Sequence, residues 1–296
     1  MLRWRLISGS SIVAILIAAC WLDARVSRPG IVLAPLVVLL CVLATGELLH
    51  MFRARGGNPS AWSIYLGTLI PVLAACAPIA WSEYPDDCPI SRLGWLACGL
   101  AAGLVVAFLG EMHRYGSDSS SPGSAVASLG MAALSIMYIG GLLGFLIQLR
   151  LYLGTGEVRP SLAPLLSLIL VVKVSDTCQY FVGRMFGKRK LAPVLSPGKT
   201  WEGAIGGIGL GAVLTTAIIA YSMSSSSWYL ILVYSVILSL AGLVGDLAES
   251  LLKRDAGVKD SSSWLPGLGG VLDMLDSLLV AAPVSYACWV LGVIAR

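Results

Sequence analysis

Trp228–Ser250, WYLILVYSVILSLAGLVGDLAES, runs into Leu243–Ser277, LVGDLAESLLKRDAGVKDSSSWLPGLGGVLDMLDS. The first run is apolar and long enough, at roughly 20 residues, to cross a bilayer as a helix. The second packs six carboxylates, three basic residues and a Gly/Pro turn into 35 residues. A membrane span that carries acidic groups toward its end and opens into a charged loop is costly to build without a role for those charges.

The charges are ordered. On a helix, Asp246, Glu249, Ser250 and Lys253 follow i, i+3, i+4, i+7 spacing and share one face. Asp273 and Asp276 are three apart, so a helix beginning near Val271 aims both the same way. Between the pairs, Pro266-Gly267-Leu268-Gly269-Gly270 interrupts helix and offers backbone N–H groups at close range. Two carboxylate pairs across such a turn suit Mg²⁺, which takes oxygen ligands and is usually held by one or two carboxylates plus substrate phosphates. Lys253, Arg254 and Lys259 would stand nearby as phosphate partners. A solvated cap on a membrane helix is the bland alternative for any one of these residues, less so for the set.

The rest of the chain fits a membrane setting. Of 296 residues, 57% are hydrophobic and 12% charged, with mean hydropathy +0.85. A soluble protein would carry about 25% charged residues. The expected fold class is therefore an all-α polytopic membrane protein, with no soluble domain and no nucleic-acid partner. The seven cysteines form no CxxC pair and fall mostly in apolar runs, which excludes a disulfide framework or a zinc site.

Nine apolar segments qualify as spans, near 7–22, 30–50, 61–82, 93–112, 124–148, 161–182, 202–222, 228–250 and 275–295. No small-residue cleavage site precedes Trp21-Leu22-Asp23, so the first reads as a retained span. Lys and Arg are richer in the stretches that lie inside when the N-terminus is inside. That orientation makes 183–201 and 251–274 cytoplasmic loops of a multi-pass cell-membrane protein. Organisation divides accordingly: residues 1–150 form about five scaffold or dimerisation spans, and residues 151–296 form the region with the chemistry.

In the first half, Glu47 at the end of an apolar run reads as an interfacial or packing residue, and His113 as a lone loop histidine. The second half holds more. Lys173, Asp176 and Tyr180 share one face of the sixth span, and charges inside a span usually pair or face a water-filled cavity. The loop GRMFGKRK from Gly183 to Lys190 is basic enough to attract anionic headgroups or a triphosphate. Ser196-Pro197-Gly198-Lys199-Thr200-Trp201-Glu202-Gly203 precedes a helix and reads as an anion cradle at its N-terminus. The upstream glycine spacing of a Walker A loop is missing.

These residues resemble the phosphatidate cytidylyltransferases, the CDP-diacylglycerol synthases. The resemblance rests on Ser250, Lys253-Arg254, Lys259-Asp260, the turn Pro266 to Gly270, and Leu272-Asp273-Met274-Leu275-Asp276. Upstream it includes Asp176, Tyr180, Gly183-Arg184, Gly187-Lys188 and Ser196 to Gly203, so that it covers about residues 173–280. Two positions depart: Leu268 stands where the family's turn has histidine, and Met274 where an arginine separates the last two aspartates.

The resemblance implies transfer of CMP from CTP to phosphatidic acid, giving CDP-diacylglycerol and pyrophosphate. It implies metal ligation by Asp246, Asp273 and Asp276, with Mg²⁺ as cofactor and room for a second metal or a monovalent ion. Lys199, Lys253, Arg254, Lys259 and Asp260 become catalytic candidates, Asp260 and Glu249 as orienters. Asp176, Arg184, Ser196, Thr200, Ser250, Gly269 and Gly270 become substrate-binding candidates. It also implies a homodimer and a polar cavity open to the cytoplasm, where a headgroup at the bilayer surface meets CTP. A CTP-dependent polyprenol or phytol kinase, a CDP-archaeol synthase, and a transporter or lipid-binding protein are the alternatives.

Overall fold

A computed structural model describes residues 2–81, 84–85, 88–115, 123–153, 160–222, 227–262 and 269–294. Most of them are helical, as a chain in hydrocarbon requires, because a helix satisfies its own backbone N–H and C=O groups where water cannot. The protein is an all-α polytopic membrane protein. Among the described residues, seven helices are long and apolar enough to cross a bilayer: Leu33–Ala54, Arg92–Tyr115, Ser124–Arg150, Ala163–Phe186, Trp201–Ser222, Trp228–Asp255 and Val271–Val290. The two remaining expected spans are also helical. Residues 61–80 break at Cys76 into a helix of 15 residues and one of four, and the N-terminal segment forms the helix Leu2–Arg25.

The chain forms two compact units. The first comprises residues 1–151 and 255–274, the second residues 152–254 and 275–296.

The first unit contains α1 (Leu2–Arg25), α2 (Leu33–Ala54), α3 (Ala61–Ala75), α4 (Ala77–Ala80), α5 (Arg92–Tyr115), α6 (Ser124–Ser135) and α7 (Leu142–Arg150). A π-helical turn, Ile136–Gly141, joins the last two. Leu49, Ile64, Ala107, Ala132 and Ile136 form an apolar core drawn from four of these segments and the π turn. α3 and α5 lie in close apposition: a side chain at Gly99 would stand 2.6 Å from the Pro71 Cα, so only glycine admits this approach. Polar ties add direction. The Thr45 and Thr68 hydroxyls bond at 3.0 Å between α2 and α3. Asp23, fully buried, accepts from Gly30 N, Val32 N and, at 2.6 Å, Arg150 Nε. Buried charges persist when paired and hydrogen-bonded in this way.

The second unit contains α8 (Ala163–Phe186), a hairpin of β1 (Lys190–Ala192) and β2 (Ser196–Thr200), α9 (Trp201–Ser222), α10 (Trp228–Asp255, its last residue in the first unit) and most of α11 (Val271–Val290). α8 and α9 make the tightest pairing. Gly207 faces the Gln179 backbone so closely that a Cβ there would overlap it, and Gly211 abuts the Ser175 Cα. The buried Tyr234 hydroxyl links α10 to Ser167 of α8 at 2.8 Å and to Ser285 of α11 at 2.9 Å. Large apolar side chains such as Ile205, Val213 and Tyr221 remain exposed, as lipid-facing positions must.

Candidate active site

The second unit gathers charges from four elements. Lys199 of β2 forms an ion pair with Asp246 of α10, Nζ to Oδ2 at 2.5 Å, both half-buried. One turn on, the Ser250 hydroxyl lies 3.5 Å from Asp246 Oδ1. On α8, Lys173 and Asp176 pair at 3.8 Å. Ser277 of α11 joins them: Lys173 Nζ donates to its hydroxyl at 3.3 Å, and that hydroxyl lies 3.0 Å from Asp176 Oδ2 and 3.0 Å from Asp276 Oδ1. The Ser277 N–H also donates to Asp276 Oδ1. Asp246 is near enough to act electrostatically on both Asp176 and Asp276.

Close helix packing makes this convergence possible. Gly245 of α10 lies against the Asp276 and Ser277 backbone, and Gly242 against Ser277 and Val172. Glycine at both positions lets α10 approach α11 where the acids reside. Asp176, Lys199, Ser250, Asp246 and Asp276, singled out in sequence, are therefore brought together. Ser277 was missed; its one sequence signal is adjacency to Asp276. Lys173 and Asp176 were read as a same-face pair, and the structure adds Ser277 as the group between them and Asp276.

Other expected site residues have different surroundings. Ser196 to Thr200 is a strand, not an open loop, and its pairing with Lys190–Ala192 is irregular, three residues of β2 standing opposite one of β1. Of Ser196, Lys199 and Thr200, Lys199 reaches the charged cluster through its ion pair with Asp246. Thr200 is the N-cap of α9, its Oγ1 accepting from Gly203 N at 3.1 Å. Glu202 accepts from Lys188 N at 2.9 Å and Arg189 N at 3.1 Å, fixing the hairpin to the start of α9. Arg184 donates to the Tyr180 hydroxyl on the exposed end of α8. Lys253 forms an ion pair with Glu249, whose carboxylate is fully buried, and Arg254 donates to the Leu195 carbonyl at 3.2 Å.

In the first unit, Asp273 holds the start of α11. Its Oδ2 accepts from Gly270 N at 2.7 Å and Ser261 N at 3.0 Å, and lies 2.8 Å from Ser261 Oγ. Gly269 has φ +86°, and a side chain there would strike the Asp273 carboxylate. Lys259 and Asp260 are exposed. Residues 263–268, which include the expected turn Pro266-Gly267-Leu268, lie outside the described residues.

The all-oxygen character of Asp176, Asp246 and Asp276 fits a hard cation and excludes a soft one. Among the described residues no three His, Cys, Asp or Glu side chains converge into a full ligand set. A cation held by Asp246 and Asp276 would complete its shell with water or substrate oxygens, the habit of Mg²⁺. Such carboxylate oxygens are the donor type that Mg²⁺ takes.

Comparison with known proteins identifies the family. Residues 3–291 match the model of the cytidylyltransferase family. The chain is 44% identical over 152 residues to a phosphatidate cytidylyltransferase of Haemophilus influenzae, covering 50% of this chain and 51% of that protein. It is 39% identical over 158 residues to that of Bacillus subtilis, covering 53% and 57%. It is 45% identical over 130 residues to that of Pseudomonas aeruginosa, covering 43% and 48%. The matched stretches thus span about half the length of these relatives, whereas the family match runs through nearly all of this chain: it belongs to the cytidylyltransferase family.

Proposed function

We propose that the protein transfers CMP from CTP to phosphatidic acid, releasing pyrophosphate and forming CDP-diacylglycerol. The carrying observation is the cluster of Asp176, Asp246 and Asp276 with Lys173 and Lys199, an anionic group of span residues with two lysines to receive phosphate. The names of the curated relatives point to the same reaction.

In this reaction an oxygen of the phosphatidate monoester attacks the α-phosphorus of CTP. The bond from that phosphorus to the α,β-bridging oxygen breaks, and its electrons leave with pyrophosphate. The attacking oxygen is already ionised near neutral pH, so no general base is needed. Charge neutralisation and alignment carry the catalysis. Asp246 and Asp276 would hold Mg²⁺, with Asp273 of the same helix as Asp276 as a further carboxylate, and the ion would supply Lewis-acid neutralisation of the phosphates.

The chain's own residues do the rest. Lys199 exchanges Asp246 for a CTP phosphate oxygen, which frees Asp246 for the cation. Asp176 and Ser277 hold Lys173 close to the acids, where its ammonium balances charge. Lys253, Arg254, Lys259 and Arg184 are further phosphate partners, and Asp260 orients. Lys173, Asp176, Lys199, Asp246 and Asp276 belong to the second unit; the site is a polar cavity open to the cytoplasmic side of the cell membrane, and two copies associate as a homodimer.

The test is CMP transfer from radiolabelled CTP to phosphatidic acid in detergent micelles, with and without Mg²⁺, beside Asp246→Asn. A labelled CDP-lipid formed only with Mg²⁺ and intact Asp246 supports the reading. No product from folded protein sinks it and directs the next assay to polyprenol phosphorylation.

A further inference from the structure

Glu47 sits in α2, within an apolar span, and its side chain is buried. An ionised carboxylate is costly there unless hydrogen bonds satisfy it. Four donors do so, and all come from the far end of the chain. Oε1 accepts from Val271 N at 2.9 Å and Ser262 Oγ at 2.8 Å. Oε2 accepts from Leu272 N at 2.8 Å and Ser261 Oγ at 2.9 Å.

These partners flank residues 263–268 on both sides. One carboxylate therefore grips the chain just before residue 263 and again where α11 begins. The two backbone donors are among the first N–H groups of α11, which no residue of the helix itself can satisfy. A negative charge there also opposes the helix dipole favourably. Ser261 joins this grip to Asp273, because its single hydroxyl hydrogen lies between Glu47 Oε2 and Asp273 Oδ2.

We infer that Glu47 is a positioning residue for the phosphate-transfer chemistry, clamping both ends of the 263–268 segment and thereby fixing Asp273 and the first turn of α11. This role rests on the reading of the reaction given above. Glu47 touches no substrate and acts through Ser261, Ser262 and the start of α11.

Glu47→Gln is a stringent probe. The amide keeps one acceptor oxygen and puts an NH₂ in place of the other. The serine hydroxyls can rotate away, but the Val271 and Leu272 N–H groups cannot, so either amide orientation sets donor against donor. Ser262→Ala removes a single bond, leaves the charge, and tests the clamp where Glu47→Gln fails to fold.

The experiment compares wild type, Glu47→Gln and Ser262→Ala as full chains in detergent. It uses hydrogen exchange across 255–275 and CMP transfer over a Mg²⁺ titration. The expected result is faster exchange confined to that stretch, with half-saturating Mg²⁺ raised or kcat lowered by about 10-fold to 100-fold in Glu47→Gln. KM for CTP should change less than kcat, and Ser262→Ala should be intermediate. Unchanged exchange overturns the clamp whatever the activity does. Faster exchange with normal kcat and Mg²⁺ response overturns the positioning role. A wild type that folds but transfers no CMP overturns the reaction and this role together, while the exchange data still report on the clamp.

Discussion

The ammonium of Lys199, on a strand, lies 2.5 Å from Oδ2 of Asp246, on a membrane helix. Each group holds the other where a phosphate and a cation would later compete for them. Lys199→Met should therefore lower kcat for CMP transfer by about 10²-fold to 10³-fold, the usual loss for one preorganised electrostatic donor. Asp246→Asn should lower it at least as far and abolish the Mg²⁺ response. Thermal unfolding in detergent would show both variants folded; full activity in Lys199→Met would remove it from the site.

Lys173 tests whether the α8 charges are packing or chemistry. In Lys173→Met, the three neighbouring carboxylates lose one of their two lysines. The expected outcome is a folded protein with transfer reduced at least about tenfold. A fully active variant would make the Lys173–Asp176 pair a structural contact only.

Thr200 caps α9, its Oγ1 accepting from Gly203 N. Thr200→Ala should cost about 1 kcal/mol of stability, the common value for losing an N-cap. A denaturation midpoint that falls while KM for CTP holds would confirm the capping role. A raised KM at unchanged stability would return Thr200 to the substrate.

The Asp23–Arg150 pair is buried on both sides. Arg150→Leu leaves the Asp23 carboxylate without its cation, and breaking such a pair costs about 3–5 kcal/mol. Asp23→Asn combined with Arg150→Leu should recover part of that loss, read as thermal midpoints of the single and double variants. Equal midpoints for the single and double variants would mean that the uncompensated charge is not the source of the cost.

Gly207 admits the closest approach of α8 to α9. Gly207→Ala should destabilise by about 1–3 kcal/mol through overpacking. A variant as stable as wild type in a thermal melt would show that the two helices can part without cost.

The spans were legible because bilayer thickness imposes a length on any apolar run, and Trp228–Ser250 meets it in plain view. The acids of the site were legible because charge stands out against such a background. The hairpin was not: Ser196-Pro197-Gly198-Lys199-Thr200 contains a proline and a glycine, poor strand formers, and is held by pairing with Lys190–Ala192 instead of by propensity. Nor was the partner of Lys199, since two charges on separate elements carry no mark of their pairing. Glu47 was visible as an acid in a span and was read as packing. Its partners lie more than 200 residues away, and only tertiary structure supplies that contact.

Ser277 has one hydroxyl hydrogen and two carboxylate oxygens at equal distance. Asp276 Oδ1 also receives the Ser277 N–H, so a hydrogen turned toward Asp176 leaves neither acid bare. Turned the other way, Asp176 depends on Lys173 alone within this trio. Rotation about a single C–O bond thus shifts which of two helices bears the less compensated charge, while the helices stay still. The hydroxyl is a rotor between α8 and α11, and a cation arriving at Asp276 would set its direction.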